Sequence, residues 1–229
     1  MNRHMRGSRH QTGLSLVELL VGVAVGLFVV AGAAMLVGSQ LSENRRLLLE
    51  TQLQQDLRSS ADIITRELRR AGFWSQAEYG VWTPTSAPLP NFFATLTTPA
   101  ATEVNYTYRR GPGQEGPYGF RLSADAIQTL LAAGGWQDLT DPRTVRITAL
   151  NIAPTNSDEI VLPCPKDCPG PGGPQDCWPR LVVRSFTVTI TGQAVHDAAI
   201  QRTLQTTVRL RNDHVRFNDP LNPSQYCPA

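Results

Sequence analysis

Apolar and polar residues along this chain fall into three regimes. From Leu19 to Gly38 no charged, amide or hydroxyl side chain occurs. As a helix, about 20 such residues at about 1.5 Å each span roughly 30 Å, the thickness of a bilayer core. From Ser39 onward the pattern becomes periodic: Leu49, Leu53, Leu57, Ala61, Ile64 and Leu68 recur at steps of four and three, which puts them on one helical face. No proline precedes Pro84, so one helix is predicted from Leu14 to about Ala71, apolar all round in its first half and amphipathic in its second. Asp62 and Arg66 are spaced for an i,i+4 pair on its wet side, and Arg66, Arg69 and Arg70 crowd the last turn before Gly72, where positive charge suits a helix C-terminus.

Beyond the helix the period changes to two. Val104 to Arg110 reads as a strand, Gly111 to Gly119 as a turn-rich loop, and Ser123 to Ala133 as a short helix ended by Gly134 and Gly135. Val145, Ile147 and Ala149 alternate with Arg146 and Thr148 in a second strand, and Glu159 to Leu162 forms a short third. The clearest alternation comes late. In Leu181 to Thr191, Val182, Phe186, Val188 and Ile190 share one parity while Ser185, Thr187, Thr189 and Thr191 share the other. Ala199 to Arg211 repeats it with Ile200, Leu204, Val208 and Leu210, and Gly192 to Ala198 would join the two into an antiparallel hairpin. Sheet and helix each have one apolar face, so the sheet is predicted to pack on the second half of the helix in an α+β fold. Breakers mark two loops: Thr83 to Pro99, with Phe92 and Phe93 pinning it to the core, and Pro163 to Pro179.

Charge and cysteine usage sharpen this picture. The formal charge is +2, but the first 13 residues carry three arginines and no acid. Removing them from the chain's 21 basic residues leaves 18 against 19 acidic ones, a net of −1. A phosphate-driven nucleic-acid binder would keep a basic excess in its folded part, so nucleic acid is not favoured as a partner. A basic N-terminal flank holds that end in the cytoplasm and sends everything after the apolar run across the membrane. Cys164, Cys168, Cys177 and Cys227 all lie on that far, oxidising side, where disulfides are expected in any of three connectivities. The alternative of a metal site at Cys164-x3-Cys168 is weakened by the surrounding prolines and the absence of a nearby histidine.

The motif that carries most information is Gly13-Leu14-Ser15-Leu16-Val17-Glu18 ahead of the apolar run. A glutamate inside an apolar helix costs a few kcal/mol unless it lies near the surface or finds a partner. The combination of basic leader, glycine, apolar residue and glutamate resembles the prepilin signal of type IV pilins and type II secretion pseudopilins. That resemblance implies a leader 1–13 cut by a prepilin peptidase between Gly13 and Leu14, N-methylation of Leu14, and a membrane and assembly segment 14–38. Leu14 departs from the phenylalanine usual there. It further implies a helical spine 39–73, a β-rich head 74–229 containing loop 163–179, and an assembly salt bridge between Glu18 and the free amine of a neighbouring subunit. Arg66 to Phe73 and Thr206 to Asn212 are similar to the PilW family of minor pilins.

A minor pilin of this kind takes part in initiating type IV pilus assembly at or near the tip. Its implied partners are other minor pilins, the major pilin, the prepilin peptidase and the inner-membrane assembly platform. The implied location is the inner membrane, single-pass with a periplasmic head, and then the pilus, or fimbrium. A J-type minor pseudopilin of type II secretion is the alternative within the class. A DNA-uptake pilin would use Tyr106, Tyr108, Arg109 and Arg110 as an aromatic and basic patch. An enzyme is not expected, nor a cofactor: beyond the leader only His196 and His214 occur, in no triad or metal spacing, and Ser15 lacks the glycine frame of a nucleophile.

Overall fold

The structure is a computed structural model that describes residues 13, 15–80, 89, 91–109, 111–113, 115–155, 159–168 and 171–216. Its elements are helix α1 (Leu16–Leu68) and strands β1 (Leu96–Ala100), β2 (Glu103–Tyr106), β3 (Tyr118–Ser123), β4 (Ala126–Leu131), β5 (Trp136–Asp138), β6 (Val145–Pro154), β7 (Ile160–Val161), β8 (Arg180–Val182), β9 (Ser185–Ala194), β10 (Asp197–Arg209) and β11 (His214–Arg216). The strands form three antiparallel sheets, ordered β1-β2-β3-β4-β5, β10-β9-β6 and β11-β8-β7. A long N-terminal helix followed by antiparallel sheets is the α+β, pilin-like architecture expected. The chain divides into two compact units between Leu48 and Leu49.

In the first unit every described side chain is exposed. By length and composition α1 is the one helix among the described residues able to cross a membrane. The second unit begins where the periodic stripe begins. Leu53, Leu57, Ala61, Ile64 and Leu68 are all buried and join one core with β6, β9 and β10 through Val145, Ile147, Phe186, Val188, Ile190, Ile200 and Val208. Gly192, predicted to lie in the hairpin connection, sits instead inside β9. A Cβ there would stand 3.1 Å from Leu57 Cδ2 and 3.3 Å from Leu53 Cδ1, so a bare backbone lets the sheet approach α1. The connection itself shortens to Val195 and His196, between Ala194 and its partner Asp197.

Three departures from the sequence pattern have structural causes. Ser123 to Ala133 is not a helix: β3 and β4 pair from Tyr118↔Leu131 to Ser123↔Ala126. The two residues between them, Ala124 and Asp125, both have positive φ (50° and 62°), the geometry of a type I′ hairpin turn. Ser123 looks like a helix cap, but the neighbouring strand supplies ladder partners that outweigh local propensity. Ala149 is exposed, not on the apolar face. The β6–β9 register slips between Ile147 and Ala149, so one extra residue on β6 moves the buried parity from Val145 and Ile147 to Leu150 and Ile152.

Leu181 to Thr191 is two strands rather than one. The chain changes sheet at Arg184, whose guanidinium donates from Nη1 to Ala94 O (2.6 Å) and from Nη2 to Asn212 O (2.8 Å), and Val182 pairs with His214. Two turns of the five-stranded sheet protect the open edge of β6: Ile147 N–H donates to Asp125 O and Ile152 N–H to Ala101 O. Phe92 is 68% exposed and meets Trp74 edge-on, so it does not pin its loop to the core; Phe93 is half-buried. Residues 81–88 and 90 of the predicted loop lie outside the described residues. Asp62 and Arg66 are exposed and form no ion pair among the described residues. The helix pairs Glu67 with Arg70 instead, at 2.9 Å.

Candidate functional site

The first candidate is the N-terminal half of α1. Glu18 lies in the first helical turn, where a negative charge meets the unsatisfied N–H groups of the helix start. It is exposed and forms no salt bridge among the described residues. Around and beyond it the large apolar side chains are all more than half exposed, from Leu16 (76%) through Phe28 (80%) to Met35 (77%). The helical glycines add no bulk: Gly22, Gly26, Gly32 and Gly38 have nothing within 4 Å of where a Cβ would sit. A surface of this kind is stable only in lipid or against other apolar helices. Gly13 is exposed. Leu14, on which the cleavage and methylation expectations rest, lies outside the described residues.

The second candidate is the end of α1, where the two stretches singled out in sequence, Arg66 to Phe73 and Thr206 to Asn212, come together. A helix C-terminus leaves carbonyls without partners. Here distant loops supply them. Arg211 N–H donates to Arg69 O (3.3 Å), Asn212 Nδ2 to Ala71 O (3.1 Å), and Asn91 Nδ2 to Gly72 O (2.8 Å). Gly72 turns the chain with φ +76°, and a Cβ on it would fall 2.9 Å from Arg184 Nη2. Beneath this clasp Glu67 accepts the hydroxyl of Tyr108 (2.7 Å). Gly72 N–H donates to Thr107 O and Arg109 N–H to Phe73 O, which draws residues 107–109 out of β2, a strand expected to reach Arg110.

The electrostatics of the clasp are set by burial. Arg184 is held below the usual arginine range by desolvation, against which the Asp213 charge acts. His214 is likewise pushed below the ordinary histidine value, first by burial and then by the Arg184 and Arg216 charges. Asp213 accepts from Arg209 at 3.0 Å. His214, which the sequence shows in no triad or metal spacing, is half-buried. Its partial burial follows from β11, too short to show any alternation.

The remaining expected site residues sort cleanly. Cys168 and Cys177 are disulfide-bonded, and Cys164 is disulfide-bonded as well; Cys227 lies outside the described residues. The loop between the first two is tied further by Cys168 N–H to Pro174 O and by Trp178 Nε1 to Lys166 O. The aromatic patch imagined for DNA is not a surface. Tyr106 (3% exposed) and Tyr108 (2%) are buried and stack with Tyr118 and Phe120, so no base could reach their rings. Arg109 faces Glu115 at 3.6 Å, and Arg110 lies outside the described residues.

Comparison with known proteins agrees with this division of the chain. A family model described as prepilin peptidase-dependent protein B matches residues 46–210, and a model of the prokaryotic N-terminal methylation motif matches residues 8–34. No curated protein and no solved structure gives a significant match. The motif and the apolar helix go with membrane anchoring and association with pili, and pilin-type families are structural. With more than two thirds of its length inside the first match, the chain belongs to the prepilin peptidase-dependent protein B family and is a type IV pilin-type protein.

Proposed function

We propose that this chain is a minor pilin that helps initiate type IV pilus assembly and sits at or near the pilus tip, in the manner of the PilW family. The observation that carries the reading is Glu18: one exposed carboxylate, with no salt bridge among the described residues, at the head of a helix half whose large apolar residues are exposed. Leaving such a charge alone in an apolar assembly costs several kcal/mol, while pairing it with an amine offsets the desolvation. Cleavage between Gly13 and Leu14 creates that amine, which after N-methylation of Leu14 remains a cation on a neighbouring subunit. The chain after Gly13 is then a single-pass inner-membrane protein with a periplasmic head, handed by the assembly platform to the filament. It works by contact with the major pilin and other minor pilins, without enzymatic chemistry or cofactor.

Deleting the gene and counting filaments by electron microscopy tests the role. Filaments should become several-fold fewer without becoming shorter-lived, and gold-labelled antibody to the head should mark filament ends in the complemented strain. Unchanged filament number together with a loss of protein secretion would assign the chain to the type II secretion pseudopilins instead.

A further inference from the structure

The clasp explains why Ala71, Gly72, Leu210 and Asn212 are where they are, but not why arginines surround them. Arg66 lies in the last turn of α1, Arg69 continues its hydrogen-bond ladder just past Leu68 by donating to Thr65 O, and the hydrogen bond from Arg211 N–H to Arg69 O brings Arg209 and Arg211 alongside. All four are exposed. Arg69, Arg209 and Arg211 rim an open cleft of about 370 Å³ floored by Leu210. Glu67 is already engaged by Arg70 and Tyr108 and Asp213 by Arg209, and Asp62 lies one turn before Arg66 on α1. Arg69 and Arg211 thus form a surplus of two positive charges. The chain after Gly13 carries −1, so −3 is left on the rest of it.

The same head holds a complementary feature. Asp56, on α1, is half-buried and forms no ion pair among the described residues, and desolvation raises its carboxyl above the usual range. It lines a cleft of about 210 Å³ with Ser59, Ser60, Thr140 and Thr144. Asp141, in the same cleft, is held by Arg143. Along α1, Asp56 and Arg69 are separated by about 20 Å and by about 140° around the axis. The two features therefore face different directions and cannot meet their counterparts across one two-fold axis. A contact between them is head-to-tail and leaves each end free for another copy.

We infer that the arginine face of one head docks on the Asp56 cleft of a second copy of this chain. Guanidinium groups suit this because they pair a carboxylate through two parallel N–H donors. Nucleic acid is the weaker fit to the same charge, since the chain is near neutral and Tyr106 and Tyr108 are buried. The inference does not depend on Glu18, so its failure would leave the assembly role of the N-terminal helix standing.

Sedimentation of the full chain in neutral detergent micelles tests it, since association through the apolar helix, with its Glu18 pair buried, is screened far less by salt than pairing of exposed charges. Wild type should associate at least ten-fold more tightly in 50 mM than in 500 mM sodium chloride, to be read as on the order of the screening of several exposed charges. Arg69→Glu with Arg211→Glu should abolish that salt-dependent part, as should Asp56→Arg. Mixing the two variants should restore it, because each now offers the charge the other lacks. Asp56→Asn, which keeps the volume, guards against misfolding of the arginine variant and should also lose association, with unchanged circular dichroism. Salt-independent behaviour of wild type, no recovery on mixing, or 20-base-pair duplex DNA binding more tightly than a second copy would each overturn the inference.

Discussion

Leu57 offers the sharpest test of how the head is built. It is 2% exposed, and the sheet residue facing it is Gly192. Leu57→Ala removes three carbons, worth about 2–2.5 kcal/mol of transfer free energy at roughly 0.8 kcal/mol each. A cavity term adds to this. The wall opposite Leu57 is glycine backbone with no side chain to relax inward, so the total should reach about 3–4 kcal/mol, near the middle of the range for such truncations. Gly192→Ala alone places a methyl 3.1 Å from Leu57 Cδ2 and should cost about 1–2 kcal/mol by overpacking. Together the changes should be far from additive, because the new methyl occupies part of the space vacated by Leu57. A coupling of about 1–2 kcal/mol is expected. Urea unfolding of the full chain in micelles, followed by tryptophan fluorescence, gives all four corners of the cycle. Strict additivity would refute the reasoning, since it would mean that Leu57 and Gly192 do not touch.

Two further outcomes follow from the clasp. Asn212→Ala removes the donor to Ala71 O in a nearly dry setting; it should cost about 1–3 kcal/mol in the same unfolding assay, and faster amide exchange should appear in the last turns of α1. His214 favours its neutral form in the folded head, with Arg184, Arg216, Asp213 and the β8 residue Val182 around it. The unfolded chain therefore binds its proton first, and stability should fall as pH drops through about 6.5 and stop falling on this account below the depressed folded value. His214→Gln should flatten that part of the stability curve measured between pH 7 and 5.

The helix was legible because two signals agreed: an uninterrupted apolar run and then a four-and-three stripe whose members, Leu53 to Leu68, are the ones the core buries. The β9–β10 hairpin was legible for the same reason, since long antiparallel strands with one wet face write their parity into the sequence. What failed was decided by partners distant in the chain. Nothing local in Ser123 to Ala133 reveals that Tyr118 to Ser123 will pair with it, and nothing in Val145 to Ala149 announces the extra residue that shifts parity at Thr148. Arg184 could not be foreseen as the point where one apparent strand becomes two, because its partners Ala94 and Asn212 lie 90 and 28 residues away. For the candidate site, the glutamate and its apolar helix were readable directly. The convergence of the arginine stretches was not, since a motif shows composition and only the fold shows adjacency.

The central claim is that the N-terminal helix is an assembly surface keyed by Glu18. The direct measurement is the amount of this chain in sheared filaments from cells expressing wild type or Glu18→Ala at equal level, with the intact mass of the recovered chain read in parallel. The expected result is a wild-type mass beginning at methylated Leu14, equal membrane levels of both proteins, and at least a ten-fold loss of Glu18→Ala from the filaments, a factor equivalent to about 1.4 kcal/mol. Glu18→Ala recovered from sheared filaments as abundantly as wild type would contradict it.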